Sequence, residues 1–450
     1  MFSPSDTIVA IATPAGRGGI GVIRISGPSA HEVARVLAPD RPPLQPRHAT
    51  LMDLGRDRTA FDRAVVTFFP APHSYTGEDV VEISAHGSPV VLQSIVDSAM
   101  RSGARLAEPG EFTFRAYLHG RMDLVQAEAV RDLVDAVTPL QARAAFDQLE
   151  GTLTARIREI DAALFELSAR LEASLDFPEE GYHFIEPGSA EEDILAVSGR
   201  IEVLLGDARR GRLVREGAQV VILGRPNSGK SSLFNQLAGS GRAIVTDIPG
   251  TTRDLVTEVV DLEGMAITIV DTAGLHQAPS DAVEREGISR ARAAEEVADL
   301  ALIVLDHSRP LNDDDETLIA STRKRARLLV ANKSDLPEIW SAETLGLDVQ
   351  EVSAATGEGV CALRAAIATA LSGTERLHDT PAITNARHVD LLTSARAVLL
   401  RGAAAAAEHT AEEFVAADVA EARRLLEEVT GARAPDDVLQ EIFAKFCIGK

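Results

Sequence analysis

The hydrophobic pattern changes period three times along the chain. Residues 1–120 alternate strand-like runs (TIVAIAT, GVIRIS, AVVTFF, VVEISA) with helix-like ones (HEVARVLA, VVLQSIVDSAM). That alternation predicts a compact α/β domain. From about residue 122, apolar positions recur every three or four residues in LVQAEAVRDLVDAV, TARIREIDAALFELSARLEASL and AEEDILAVSGRIEVLLGDA. This spacing predicts packed amphipathic helices, broken by FPEEGYHFIEPGS with its prolines and glycines. At residue 217 the period changes again: GAQVVILGRP reads as a buried strand entering a glycine loop, and strand and helix signals alternate to about residue 373. A mostly parallel α/β sheet is expected there. Helical patterning then returns in TNARHVDLLTSARAVLLRGAAAAA and AEEFVAADVAEARRLLEEVTG. The run Ala403–Ala407 reads as plain helix, since Ala is the best helix former.

The expected organisation is therefore α/β plus all-α in four segments. Residues 1–120 form an α/β domain and 121–215 a first helical part. Residues 216–375 form an α/β module inserted into the helical domain, and 376–450 its second helical part. No apolar run approaches the ~20 residues that span a bilayer. The start, MFSPSDTIVA, has no basic region followed by an apolar one, so no signal peptide is expected. With two cysteines, no disulfide framework is expected, and a reducing cytoplasm fits.

Charge narrows the partners. The net charge of -23 excludes a chain that wraps nucleic acid with its whole surface. Residues 1–120 hold 11 Arg and 12 acidic residues, a net of -1, so the remaining -22 lies further on. Any RNA contact is expected to be local or shared with a partner. Arg outnumbers Lys 40 to 5. A Lys that survives in such a chain can mark a position where a compact ammonium is needed and a planar fork is not. The five are Lys230, Lys324, Lys333, Lys445 and Lys450; two of them fall in nucleotide motifs, and surface chance is the plain reading of any one.

Gly224-Arg225-Pro226-Asn227-Ser228-Gly229-Lys230-Ser231 matches G-x-x-x-x-G-K-[ST] between a strand and the helix SSLFNQLAG. Backbone N–H groups of such a loop, with the helix N-terminus, cradle phosphates. Lys230 would reach the β- and γ-phosphates, and the Ser231 hydroxyl would ligate Mg²⁺. Asn227, Ser228, Gly229 and Ser232 complete the expected phosphate contacts. Asp271-Thr272-Ala273-Gly274 follows the strand AITIV, suited to hold the metal through water and to sense the γ-phosphate. Asn332-Lys333-Ser334-Asp335 follows RLLVA. The Asp335 carboxylate can accept from guanine's ring N–H and exocyclic amine, a donor pair adenine lacks, so GTP is expected. Ser353 and Ala354 would close over the base. The loop TDIPGTTRD supplies Thr246, Asp247, Ile248, Pro249, Gly250, Thr251 and Thr252, with Thr252 a second Mg²⁺ ligand ordered by the γ-phosphate. The residue after the D-x-x-G stretch is Leu275, not a water-orienting Gln. Another group must orient the water, and the Asn227 side-chain oxygen could help bind a monovalent cation.

The chain resembles the MnmE (TrmE) family of tRNA-modification GTPases over essentially its full length. The resemblance is carried by DTIVAIATPAGRGGIGVIRISG, YTGEDVVEISAHG, EPGEFTFRAYLHGRMDLVQAEAV, the GTPase motifs and the final FCIGK. It implies an N-terminal folate-binding and dimerising domain, a discontinuous helical domain and an inserted Ras-like P-loop GTPase domain. It implies K⁺ ligands at Asn227, Thr246, Ile248 and Thr251, and Mg²⁺ ligands at Ser231 and Thr252. It places the water-orienting acid at Glu284, which by itself reads as a solvated helix residue. A tetrahydrofolate derivative would contact Arg24, Glu82, Arg121 and Lys450, with Arg121 standing where relatives carry Lys. By themselves, Arg24 reads as a strand-end surface residue and Glu82 as a strand residue of unassigned facing. The resemblance further implies a homodimer and a flavin-dependent partner of the MnmG (GidA) type. Together they would convert the wobble uridine of tRNA to its carboxymethylaminomethyl or aminomethyl form.

Cys447 has three open readings. A lipid anchor fits poorly, because Gly449 and Lys450 do not make a prenylation box. A buried core cysteine is the plain reading. The resemblance adds a third, a tail reaching the folate site with Cys447 near the transferred carbon. Cys361, in VCALRAAIATAL, is expected in the core. Two other function classes compete: a GTP-timed ribosome-assembly factor, which calls for a basic RNA-binding domain that is absent from the sequence, and a non-enzymatic folate-sensing scaffold.

Overall fold

The computed structural model describes residues 5–38, 44–56, 59–176, 188–240, 256–271, 298–346, 348–372, 383–408 and 411–450. Two compact units divide the chain, one of residues 1–131, 149–195 and 397–450, the other of 132–148 and 196–396.

The first unit contains a six-stranded sheet. Its strands are β1 (Ile8–Ile11), β2 (Gly18–Ser26), β3 (Thr50–Arg56), β4 (Thr59–Phe69), β5 (Val80–Gly87) and β6 (Arg105–Leu106), in spatial order β3-β4-β5-β2-β1-β6. Pairing is antiparallel except between β1 and β6. The period-two pattern sorts the two faces. Val9, Ile23, Ile25, Val81 and Ile83 pack under helices Ala30–Leu37 and Pro89–Arg101. Each such side chain, fully buried, contributes about 1.5–3 kcal/mol. Ile8 and Ala10 face the other way, against Ala107, Phe112 and Tyr75. Arg24 pairs in register with Ala10 on one side and Glu82 on the other.

Strand β3 and helix Glu111–Leu118 of this unit lie outside the periodic runs named above. Strand β3 reads TLMDLGR, and its Gly55 falls at a register shift opposite β4. Helix Glu111–Leu118, EFTFRAYL, is short and aromatic, with Gly110 before it at φ 70. Arg115 in that helix is fully buried. It donates to the Asp6 backbone oxygen at 2.7 Å and to the carboxylates of Asp6 at 2.6 Å, Glu111 at 2.9 Å and Glu78 at 3.1 Å. Arg105 bridges Asp6 and Glu111 from outside. Burial pushes the Glu111 carboxyl up, but hydrogen bonds from Arg105, the Glu108 N–H and Arg115 outweigh it and hold the pKa below the usual range.

Across a long sequence separation, helix Glu412–Thr430 packs on helix Thr152–Asp176. Arg423 donates to Asp161 at 2.9 Å and lies 4.9 Å over the Phe165 ring. The alanine run is helical, within Ala386–Ala407.

The second unit contains β7 (Ala218–Leu223), β8 (Val256–Leu262), β9 (Met265–Asp271), β10 (Leu300–Asp306), β11 (Arg327–Asn332) and β12 (Val349–Val352), in order β12-β11-β10-β7-β9-β8. All neighbours are parallel except the edge strand β8. Every residue of β10 is buried, as a strand covered on both faces requires. Helix Val360–Ser372 buries Val360, Leu363, Ile367, Ala368 and Leu371. Cys361 falls off that stripe and is exposed, which corrects the core expectation.

Candidate functional site

The phosphate loop leaves the carboxyl end of β7 and enters helix Lys230–Ser240. Ligands of open parallel sheets sit at that end, where the strand order diverges. Here β9 and β10 flank β7 on opposite sides. Asp271, the last residue of β9, is in register with Ile222 of β7. The Lys230 ammonium crosses the loop and donates to the carbonyls of Gly224 and Arg225, both at 2.8 Å. The Ser228 hydroxyl oxygen is buried with no hydrogen-bond partner among the described residues, an orphan that a phosphate oxygen would satisfy. Asn227 holds φ 65 and is exposed. Ser231 and Ser232 are exposed at the helix start.

The Asn332–Asp335 loop is stitched onto the Gly224–Ser231 loop. Asn332 is 1% exposed. Its amide donates to the Ser228 carbonyl at 2.8 Å, and its side-chain oxygen accepts from Ala354 N–H at 3.0 Å. One side chain thus joins three segments. Gly229 must be glycine for this to fit: at φ 94, a Cβ there would stand 2.0 Å from the Asn332 amide nitrogen. Ser353 donates to Asp335 at 2.6 Å and accepts from Thr356 N–H. Asp335 is exposed, open to a base. Lys333 donates to the Asn227 carbonyl at 2.9 Å and to Asp306 at 2.6 Å. Burial raises the Asp306 carboxyl, but hydrogen bonds from Lys333 and Ser308 outweigh it and hold its pKa low.

Asp306 has no place in the four nucleotide stretches. The signal that could have found it is a second apolar strand, LALIVLD, ending in Asp as AITIVD does. Thr246, Asp247, Ile248, Pro249, Gly250, Thr251, Thr252, Thr272, Ala273, Gly274 and Glu284 lie outside the described residues.

A second constellation forms in the first unit. Arg24 lies within β2, not at its end, and donates through Nε and Nη2 to one oxygen of Glu82 at 3.0 and 2.8 Å. Its guanidinium stacks 4.9 Å from the centre of the Tyr75 ring and 5.7 Å from that of Phe112. Burial pushes the Tyr75 phenol up, keeping it protonated beside Thr113 at 2.8 Å. Tyr75 stands inside the quoted YTGEDVVEISAHG run, yet only the fold gives it a partner. Arg121 is exposed, its Cγ 3.4 Å from where a Cβ on Gly77 would stand.

The chain end arrives at the same sheet. Phe443 and Phe446 pack with Leu124 and Ala127, and Cys447 O accepts from Gly110 N–H at 3.4 Å. Gly449, at φ 98, presses on β1: a Cβ there would stand 2.4 Å from Ile11 O. Ile11 directly follows Ala10, the register partner of Arg24. Lys450 is half-buried, and Cys447 is exposed, so the core reading of that cysteine does not hold. Arg24 and Glu82 therefore touch; Arg121 lies beside Gly77, and Lys450 follows Gly449 on β1.

A G-x-x-x-x-G-K-S loop at a parallel strand end, tied through Asn332 to the loop that carries exposed Asp335, defines a P-loop GTPase. Comparison with known proteins sharpens the class. The chain matches the GTP-binding protein TrmE N-terminus over residues 7–121 and the MnmE helical domain over residues 124–447. It is 42% identical over 455 residues to the tRNA modification GTPase MnmE of Nitrosomonas europaea, covering 100% of both chains. It is 44% identical over 451 residues to that of Koribacter versatilis, covering 99% of each. The crystallised G domain of the T. maritima FeoB iron transporter is 28% identical over 34% of this chain and 98% of that one, with a TM-score of 0.27. The chain belongs to the MnmE (TrmE) family of tRNA modification GTPases. Among the described residues, no helix is long and apolar enough to cross a membrane.

Proposed function

We propose that this protein is a K⁺-stimulated GTPase whose turnover, promoted by G-domain pairing in a homodimer, drives modification of the wobble uridine of tRNA. A flavin-dependent partner of the MnmG (GidA) type and a folate one-carbon unit complete the reaction. The four-segment organisation, 1–120, 121–215, 216–375 and 376–450, and a cytoplasmic setting belong to the same proposal. The observation that carries it is that the Arg24–Glu82 pair and Gly449 of the tail meet the same sheet, in a chain that also carries the G-x-x-x-x-G-K-S loop.

The donors fit the groups they would hold. Hydroxyl and amide oxygens suit hard cations, so Ser231 with Thr252 would hold Mg²⁺, and Asn227 with Thr246, Ile248 and Thr251 would hold K⁺. These cations supply charge neutralisation at the phosphates when bound. Lys230 orients the β- and γ-phosphates and Asp335 selects guanine. Glu284 orients the attacking water, a role Leu275 cannot take. In the first unit, a carboxylate can accept from the amine-bearing ring of a folate, while Arg24, Arg121 and Lys450 offer cationic donors to its acidic tail. The folate would supply the one-carbon unit when bound, and exposed Cys447, whose backbone oxygen accepts from Gly110 N–H, would act near it.

The test is mass spectrometry of tRNA nucleosides from cells lacking the protein. Loss of aminomethyl-type wobble uridines is expected, restored by the intact gene but not by Glu82→Ala or Cys447→Ser versions. Persistence of those nucleosides would exclude this substrate. Hydrolysis should also run faster in KCl than in NaCl at equal ionic strength; equal rates would remove the K⁺ role of Asn227.

A further inference from the structure

Asp306 ends β10 in register with Asn332, the last residue of β11. It is 2% exposed, and a buried carboxylate persists only if its lone pairs are satisfied. One oxygen accepts from Ser308 N–H at 3.0 Å and Ser308 Oγ at 2.6 Å. The other accepts from the Lys333 ammonium at 2.6 Å. That ammonium reaches on to the Asn227 carbonyl at 2.9 Å. Trp340 fixes the strand end by donating from its indole to the Asp306 backbone oxygen at 2.9 Å, with its ring against His307. Lys333 itself holds φ 71, a left-handed state uncommon for lysine. Its side chain is therefore held at three places: its own strained backbone, the Asp306 carboxylate and the phosphate loop.

We propose that Asp306 is a positioning residue for guanine-nucleotide binding. Its carboxylate directs Lys333 onto the Asn227 carbonyl and so keeps the phosphate loop and the Asp335-bearing loop at one separation. This rests on the GTP reading of the same site. A nucleotide must engage both loops at once, and loops already held in place lose less freedom when it binds. The carboxylate is needed because it has two acceptor oxygens. An amide has one, so in Asp306→Asn either the Ser308 N–H or the Lys333 ammonium loses its acceptor.

The experiment titrates the full-length protein, in Mg²⁺ and KCl, with a fluorescent GDP analogue, for wild type, Asp306→Ala, Asp306→Asn, Lys333→Ala and the Asp306→Ala/Lys333→Ala double variant. Asp306→Ala should weaken binding by about 10- to 100-fold, the scale of a charge-assisted hydrogen bond. The double variant should be no weaker than the worse single variant within about threefold, because both remove one linkage. With GTP, the KM should rise while kcat at saturation stays within about threefold. A purely structural ion pair would lower thermal stability without this KM-only loss and without the non-additivity. Asp306→Ala binding within about twofold of wild type, or fully additive losses, overturns the role of Asp306. If the alanine variant does not fold, Asp306→Asn decides: weaker binding supports the role and unchanged binding overturns it. Failure of wild type to bind the GDP analogue would instead overturn the guanine-nucleotide reading.

Discussion

The two sheets place their chemistry differently. In β12-β11-β10-β7-β9-β8 the central strand β10 is buried on both faces, and the nucleotide-motif residues sit in loops at the carboxyl ends. Such residues are contiguous in sequence, so Gly224–Ser231 and Asn332–Asp335 stand out as motifs. In β3-β4-β5-β2-β1-β6 the pair proposed for the folate lies mid-strand. Arg24 and Glu82 are separated by 58 positions and meet only because β2 and β5 are in one register. A slip of one residue would turn Arg24 toward the helix-covered face and carry Ile23 and Ile25 off it. The lesson is that a parallel sheet advertises its site in the sequence, while an antiparallel sheet hides its site in the pairing.

The largest expected effect tests what holds the antiparallel site in shape. Arg115→Met should cost the first unit about 3–5 kcal/mol, because it strands buried carboxylates that Arg115 now satisfies. Urea denaturation with and without GDP would show it as an earlier transition that GDP does not protect. If the GDP-protected transition moves equally, the two sites do not stand on separate supports.

Asn332→Ala asks the matching question of the parallel site. It removes the amide joining Ser228, Ala354 and the Asn332 loop. GTP affinity should fall roughly 30- to 100-fold for two buried hydrogen bonds, read by nucleotide titration. An unchanged affinity would mean that the loops hold their places without it.

Gly449→Ala acts on the tail. An alanine at φ 98, with its Cβ driven against Ile11 O, should displace the chain end at a cost of about 1–3 kcal/mol. Modified wobble uridines should fall, while basal GTP turnover stays within about twofold. A normal nucleoside profile would detach the tail from the chemistry.

The smallest effect is in acid. Asp6 and Glu111 have folded pKa values below their ordinary ones: burial raises each, and hydrogen bonds from Arg105 and Arg115 lower each by more. Their stabilisation is complete above the unfolded carboxylate pKa, about 4, and drains as pH falls through the folded values. Thermal melts should be flat from about pH 7 to 5 for this contribution and decline below about pH 4. A loss confined to the neutral range would point to other groups.

The strand and helix periods around the nucleotide loop were legible because each element carries its own repeat. Strand β3 and helix Glu111–Leu118 were not, since both are short and neither has a clean repeat. Cys361 shows the same limit at one residue: an apolar neighbourhood in sequence placed it in the core, but the stripe of its helix passes it by. Arg115 is the opposite case, a charged side chain that composition places at the surface and the fold places at full burial. Its burial is sustained by Asp6, Glu78 and Glu111, partners that no local pattern links to it.

Sequence alone determined the P-loop, the GTPase class and the family, because those depend on residue types at short fixed spacings. Tertiary structure decided that Arg24 meets Glu82, that Gly449 closes on β1, and that Asp306 holds Lys333. Each depends on strand register or on a close approach between distant segments, and the free energy of a packed contact is not written in either segment alone.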